Sequence, residues 1–185
     1  MSSETQPVGT GADDSSVGTK TWSNPSNITT TTSQSFITST SSGVFSHYLK
    51  ATNFNFSIPT DATIDGIEIV VHTQIDPLPN IAPDDYVAKL VIGGSVVGNN
   101  LASGTQLSNG QTSITYGGAT ELWGTSPTYS DINNSNFGFV FQIELNGGGK
   151  FQPSSMYVGN SGNYGVEVTV YYTEGATSRR IFIIS

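Results

Sequence analysis

Apolar and polar positions alternate along this chain with a period of two, in short runs separated by clusters of Gly, Asn, Ser, Thr and Pro. Phe54, Phe56 and Ile58 alternate with Asn55 and Ser57, Pro59 ends the run, and Thr60-Asp61-Ala62-Thr63 turns the chain. Ile67, Ile69 and Val71 then alternate with Glu68, Val70 and His72. Successive strand residues point to opposite faces. This period therefore predicts strands buried on one side and exposed on the other, as in antiparallel sheets stacked face to face. Strands are predicted at residues 46–58, 66–74, 86–92, 113–116, 137–145, 155–158, 164–173 and 179–184. A weaker one is expected around Phe36-Ile37, and the run Ile28-Thr29-Thr30-Thr31-Thr32 reads as an edge strand or an extended surface segment. Phe54, Phe56, Ile58, Ile67, Ile69, Phe139, Phe141, Ile143, Val166, Val168 and Val170 form the expected core.

Between these runs, residues 76–85 carry Pro77, Pro79 and Pro83, and residues 93–111 are rich in Gly and Asn, so both read as long loops. A single helical turn is expected within residues 129–136, capped by Ser130-Asp131. No self-similarity at a fixed period marks a propeller or solenoid. The expected fold is all-β: a jelly-roll-like antiparallel β-sandwich with an extended N-terminal arm. Residues 1–20, polar and Gly-rich, read as the arm, which would either fold back on its own domain or, reaching roughly 65 Å if fully extended, lie on a neighbouring subunit. Residues 21–174 read as the sandwich, and residues 175–185 as a C-terminal β tail. The tail holds four consecutive apolar residues, Ile181, Phe182, Ile183 and Ile184, which calls for cover on both faces or pairing along an edge.

Composition narrows the function classes. Hydrophobic residues make up 35% of the 185, enough for one core, while only 11% are charged, less than half the usual level of about a quarter. Surface polarity therefore comes from Ser, Thr, Asn and Gly. Fourteen acidic residues against six basic ones give a net charge of −8. The cations stand singly at Lys20, Lys50, Lys89 and Lys150, with one pair at Arg179-Arg180, which argues against a nucleic-acid partner. There is no cysteine for a disulfide or thiolate metal site. No apolar run approaches the ~18 residues of a membrane span. The first residues lack the basic and apolar regions of a signal peptide, so synthesis in a cytoplasm is expected.

No catalytic motif stands out. His47 follows Ser46, but neighbours in a strand face opposite ways, and no Gly-x-Ser-x-Gly elbow is present. His72 is expected on the polar face of its strand. Glu68, Glu144 and Glu167 alternate with apolar neighbours and read as solvent-face residues rather than a glycosidase pair. Asp76, Asp84 and Asp85, and Asp61 with Asp65, offer hard oxygen ligands on loops but lack the spacing of a helix-loop-helix calcium site. They read as turn acids. No enzyme activity, cofactor or metal is expected. Among the aromatics a place in the core or in a partner interface is expected first for each ring; Trp123 beside Gly124 is the best candidate for a stacking platform, and Tyr171-Tyr172 in a strand must send one ring outward.

Several segments, taken in order, resemble a β-sandwich domain that recurs in tailed-phage structural proteins and large bacterial surface proteins. They are Trp22-Ser23-Asn24-Pro25-Ser26-Asn27, Tyr48-Leu49-Lys50-Ala51-Thr52-Asn53-Phe54, Ile58-Pro59-Thr60-Asp61-Ala62-Thr63-Ile64-Asp65-Gly66-Ile67, Leu122-Trp123-Gly124 and Val168-Thr169-Val170-Tyr171-Tyr172-Thr173. The likeness spans roughly residues 20–173 and rests on order and spacing. It implies a jelly-roll-like sandwich in a virion or surface setting and supplies no catalytic residues. With the rest of the sequence, the expected function is a non-enzymatic virion protein, decorating a capsid or associated with a tail or fibre, made in the host cytoplasm. Its expected partners are other virion proteins and further copies of itself, a trimer among the options. Trp123, Tyr171, Tyr172, Ile181, Phe182, Ile183 and Ile184 are the assembly or binding candidates. The competing expectation is a carbohydrate-binding adhesion module, for which a glycan would be the partner.

Overall fold

The computed structural model describes residues 1–75, 82–148, 154–159 and 162–175. The alternating runs form twelve strands in two antiparallel six-stranded sheets packed as a sandwich. Sheet I holds β1 (Ser2–Pro7), β3 (Ser35–Ser39), β6 (Thr63–Ile75), β9 (Gly110–Gly118), β11 (Ser154–Val158) and β12 (Val166–Thr173). Sheet II holds β2 (Thr10–Asp14), β4 (Ser42–Phe45), β5 (Tyr48–Thr52), β7 (Asp84–Ile92), β8 (Ser95–Val97) and β10 (Gly138–Asn146). The chain changes sheet after most strands and stays within one only at β4–β5, β7–β8 and β11–β12. That wrapping is jelly-roll-like.

All the residues expected in the core are buried. Ile67, Ile69 and Val71 of β6 and Val166, Val168 and Val170 of β12 line the inner face of sheet I, and Phe139, Phe141, Ile143 and Leu145 of β10 line that of sheet II. Trp123 meets Phe139 edge to face, and Tyr116 packs on Phe139 and Phe141. Of the stretch read as a proline-rich loop, residues 76–81 lie outside the described residues, and β7 begins within it at Asp84. Ile92 and Ser95 pair across Gly93-Gly94, both at positive φ, as a two-residue hairpin turn requires. This places β8 inside the stretch read as a loop. The helical turn is α1 (Tyr129–Ile132), capped by Thr128, whose Oγ1 accepts from the Asp131 N–H while the Asp131 carboxylate accepts from the Thr128 N–H.

Three expectations are corrected. The alternation of residues 53–58 is one of burial, not of pairing: β5 ends at Thr52, because Asn53 and Asn55 take left-handed backbone angles. Phe54, Phe56 and Ile58 still point inward, and the Asn133 side chain replaces a neighbouring strand by accepting from the Ile58 N–H and donating to the Ile58 carbonyl, both at 2.8 Å. The threonine run expected as an edge strand or extended segment instead opens with a short 3₁₀ helix at Pro25–Thr29, with proline in its first turn and Ile28 buried.

The third correction concerns the partner-held alternative for the N-terminal arm, which instead takes its other expected place, on its own domain, and folds into both sheets. β1 pairs with β12 along all six residues, and β2 pairs with β5. Between them Val8 is buried, and its N–H donates to the Val166 carbonyl. Asp13 accepts from the Trp22 N–H at 2.8 Å and lies 2.8 Å from His47 Nδ1, while the Trp22 indole donates to the His47 carbonyl. A polar segment thus orders itself through backbone ladders and paired side chains, with little apolar surface of its own. The sequence tail, with Ile181, Phe182, Ile183 and Ile184, lies outside the described residues. Deleting residues 1–18 should therefore destabilise the sandwich by more than ~3 kcal/mol, through the lost ladders and the opened Val8 site. Urea denaturation measures it. An unchanged midpoint would return this segment to the status of a free arm.

Candidate functional site

The outer face of sheet I gathers the residue types with chemistry. On β6 the inward Ile69, Val71, Thr73 and Ile75 leave Glu68, Val70, His72 and Gln74 facing out. His72 stands opposite Ser113 of β9, and Glu167 of β12 lies diagonally beside it. Ser113 Oγ is 2.8 Å from His72 Nδ1, and Glu167 Oε2 is 2.8 Å from Nε2. The polar-face expectation for His72 holds, and its ring is nearly covered by these partners.

Serine, histidine and carboxylate are the residue types of a hydrolase relay. A relay also needs donors placed for a developing oxyanion and a cleft for substrate. The three residues lie on the face of a sheet and do not line the depression that opens beside them at Gln34, Gln74 and Gln111. Their contacts have the form of a cross-strand polar pairing, which ties β9, β6 and β12 together.

One row further along, Gln74 faces Gln111 on β9 and Tyr157 on β11, and Tyr157 faces Phe36 on β3. The Phe36 and Tyr157 rings lie 6.1 Å apart at 33°. Gln34 joins the row from beside β3. Its Nε2 donates to the Gly159 carbonyl at 2.7 Å and to Gln74 Oε1 at 3.2 Å, and Gln111 Nε2 donates to the same Gln74 oxygen at 3.3 Å. These three amides, with Thr31, Thr32, Ser33 and Gly162, line an open depression of about 510 Å³.

The outer edge of β9 is the third feature. The His72 N–H donates to the Gly165 carbonyl and its own carbonyl accepts from the Gly159 N–H, so both groups face away from β9. Ser113 opposite is consequently a non-hydrogen-bonded pair member, and the main-chain groups of Gln111, Ser113 and Thr115 point away from β6. Among the described residues no strand pairs with that side of β9.

The expected candidates divide. Trp123, the platform candidate, is 0% exposed and takes the core place expected first for each ring. Its indole donates to the Ile67 carbonyl at 2.9 Å beneath Gly117, where a Cβ would collide with both that carbonyl and the indole nitrogen. Leu122-Trp123-Gly124 is thus a core anchor. Of the tyrosine pair, Tyr172 turns inward and Tyr171 is the partly exposed ring. His47 is held by Asp13. Asp76 lies outside the described residues, and among those described no cluster of His, Asp and Glu is arranged for a metal. Asp65 accepts from the Thr173 hydroxyl.

Asp85 is buried and organises the loop after β8. It accepts from the Ser103 N–H and hydroxyl at 2.8 and 2.6 Å, from the Thr105 N–H at 3.2 Å, and from the Tyr116 hydroxyl at 3.3 Å. The fold and this geometry define an antiparallel two-sheet β-sandwich protein. No protein-family model and no curated protein sequence matches the chain.

Burial first, and then the Asp85 charge and hydrogen bond, raise the Tyr116 phenol above its ordinary value of 10.0. Above about pH 10 the unfolded chain releases this proton while the folded protein keeps it. The contribution to stability is therefore complete below pH 10 and declines as pH climbs toward the folded value. For this one group the loss approaches ~1.4 kcal/mol per pH unit in that window. Tyr116→Phe should cost about 1 kcal/mol at neutral pH through the lost bond to Asp85 and flatten the alkaline slope. Tyr48, raised by burial and by Asp14, leaves a residual slope. Urea midpoints at neutral pH and between about pH 9 and 11 check both signs.

Proposed function

We propose that this chain is a non-enzymatic structural protein of a phage particle, a capsid-decorating or tail- or fibre-associated subunit. It joins its neighbours through sheet edges and the apolar segment Ile181, Phe182, Ile183 and Ile184. The observation that carries the reading is the open edge of β9, a nine-residue strand with exposed side chains at Gln111, Ser113 and Thr115 between glycines at its two ends. Unpaired main-chain groups in such a row are a template for an added strand. Four consecutive apolar residues are what an added strand covered on both faces requires.

Two further observations support it. The resemblance over residues 20–173 is to phage and bacterial surface β-sandwiches. The groups with chemical potential are also engaged structurally, His72 with Ser113 and Glu167, His47 with Asp13, and Asp85 with Ser103, Thr105 and Tyr116. The particle would assemble from subunits made in the host cytoplasm.

The test combines location with edge chemistry. Antibody labelling should find the protein on purified particles, and native mass measurement should find it as an oligomer. Truncation after residue 175, and separately Thr115→Pro, should each reduce oligomer or particle association by at least about ten-fold while far-ultraviolet circular dichroism stays unchanged. The proline removes an N–H that β6 does not use, which an edge strand tolerates. If both variants assemble as the full chain does, the edge mechanism fails. Absence from particles removes the virion assignment.

A further inference from the structure

We propose that the outer face of sheet I around Tyr157 is a binding surface for a neutral hexose oligosaccharide. The row Gln111, Gln74, Tyr157 and Phe36 crosses four adjacent strands in register. Three gaps of ~4.8 Å give it a span of ~14 Å, the scale of a short glycan laid across the strands.

Its hydrogen-bonding capacity is preset. Gln74 Oε1 receives both Gln34 Nε2 and Gln111 Nε2, and Gln34 is pinned again by the Gly159 carbonyl. Those bonds engage Gln74 Oε1 and the Nε2 groups of Gln34 and Gln111, leaving donor capacity at Gln74 Nε2 and acceptor capacity at Gln34 Oε1 and Gln111 Oε1. Donor and acceptor capacity on neighbouring side chains suits vicinal hydroxyls, each of which both gives and takes a hydrogen bond. Beside them the half-buried Tyr157 and Phe36 rings offer apolar faces at a fixed tilt, against which the C–H face of a pyranose stacks. Ordered rings and locked amides also lower the entropy lost on binding.

Charge selects the ligand class. The residues lining the depression are Thr31, Thr32, Ser33, Gln34, Gln74, Gln111 and Gly162, none of them ionisable. The nearest charged group along the same face of β6 is the His72–Glu167 pair, whose half-exposed carboxylate disfavours an anion. A sialylated or sulfated chain finds no cation in this lining, Lys20 standing in the separate depression that Phe36 lines at the far end of the row, whereas a neutral hexose needs none.

A printed array of gluco-, manno- and galacto-configured neutral oligosaccharides, with sialylated and sulfated ones alongside, tests the proposal on the full chain. Retention of neutral spots over anionic ones is expected. The retained sugar should shift the side-chain amide resonances of Gln34, Gln74 and Gln111 in nuclear magnetic resonance titrations. Tyr157→Ala and Gln74→Ala should each weaken it by at least about ten-fold with the melting temperature held. Tyr157→Phe, which keeps the ring, should bind nearly as the parent does. Retention of no neutral sugar, preference for anionic ones, or unchanged binding by Tyr157→Ala overturns the assignment. So does a Tyr157→Ala effect on self-association alone, which would make the face a contact between copies. This proposal does not rest on the virion reading: Thr115→Pro probes assembly and Tyr157→Ala the glycan, so either fails without the other.

Discussion

The rest of the molecule depends on the pairing of β6 along both of its edges. At thirteen residues it is longer than any other strand described, so no single partner covers it. One edge takes β12 from Thr63 to Val71 and then β11 from Thr73 to Ile75, end to end, and the other takes β9 from Ile67 to Ile75. Two strand pairs, β12 with β1 and β11 with β3, thereby attach to one backbone. The alternation along β6 does the remaining work. Ile67, Ile69, Val71 and Ile75 are buried beneath the sheet, while His72 and Gln74 define the rows on its outer face. A one-residue slip of register would exchange these sets, which makes the slip energetically prohibitive.

The Ile67 carbonyl shows how far this control extends. It receives the Trp123 indole, and the Ile67 N–H donates to the Glu121 carbonyl, so the loop that follows β9 is stapled back onto β6. That loop leads into α1, whose following residue Asn133 in turn holds the extended stretch at Ile58. Sheet, loop and bridge form one chain of contacts, each satisfying main-chain groups that would otherwise be buried without partners.

The sandwich was legible because burial has a period, and periods survive in sequence. Where structure rests on main-chain pairing without apolar burial, that signal vanishes. Ser2 to Pro7 contain no large apolar residue, yet they form a full strand against β12, aided by contacts such as the 2.8 Å pair of Thr5 and Thr169 hydroxyls. Residues 53–58 show the opposite failure, since alternating burial persists in an extended stretch with no ladder. The candidate site was legible only in halves. Period two sends His72 outward, but Ser113 and Glu167 stand 41 and 95 residues away, and register between distant strands is not a local property. The Gln and Tyr row was missed for the same reason. Trp123 stayed ambiguous because a loop position alone separates a platform from a core anchor only weakly. The signal that favours the core is Gly117 just upstream, whose missing side chain leaves the space the indole fills.

A surface with so few charges meets its partners without much electrostatic steering, so recognition has to come from short-range hydrogen bonds and fitted shape. The two features proposed as functional meet that demand differently, and both involve β9. Its outer edge offers N–H and C=O groups lying in the plane of the sheet. The Gln111 side chain rises perpendicular to that plane and joins Gln74 and Gln34. A strand added at the edge would bond in the plane, and a sugar laid on the face would bond above it, so neither consumes the groups of the other. An added strand would even extend sheet I past Gln111 and broaden the platform. Adhesion to a glycan and attachment to a particle are thus compatible roles for one sheet, because strand geometry separates main-chain from side-chain hydrogen bonding by a right angle.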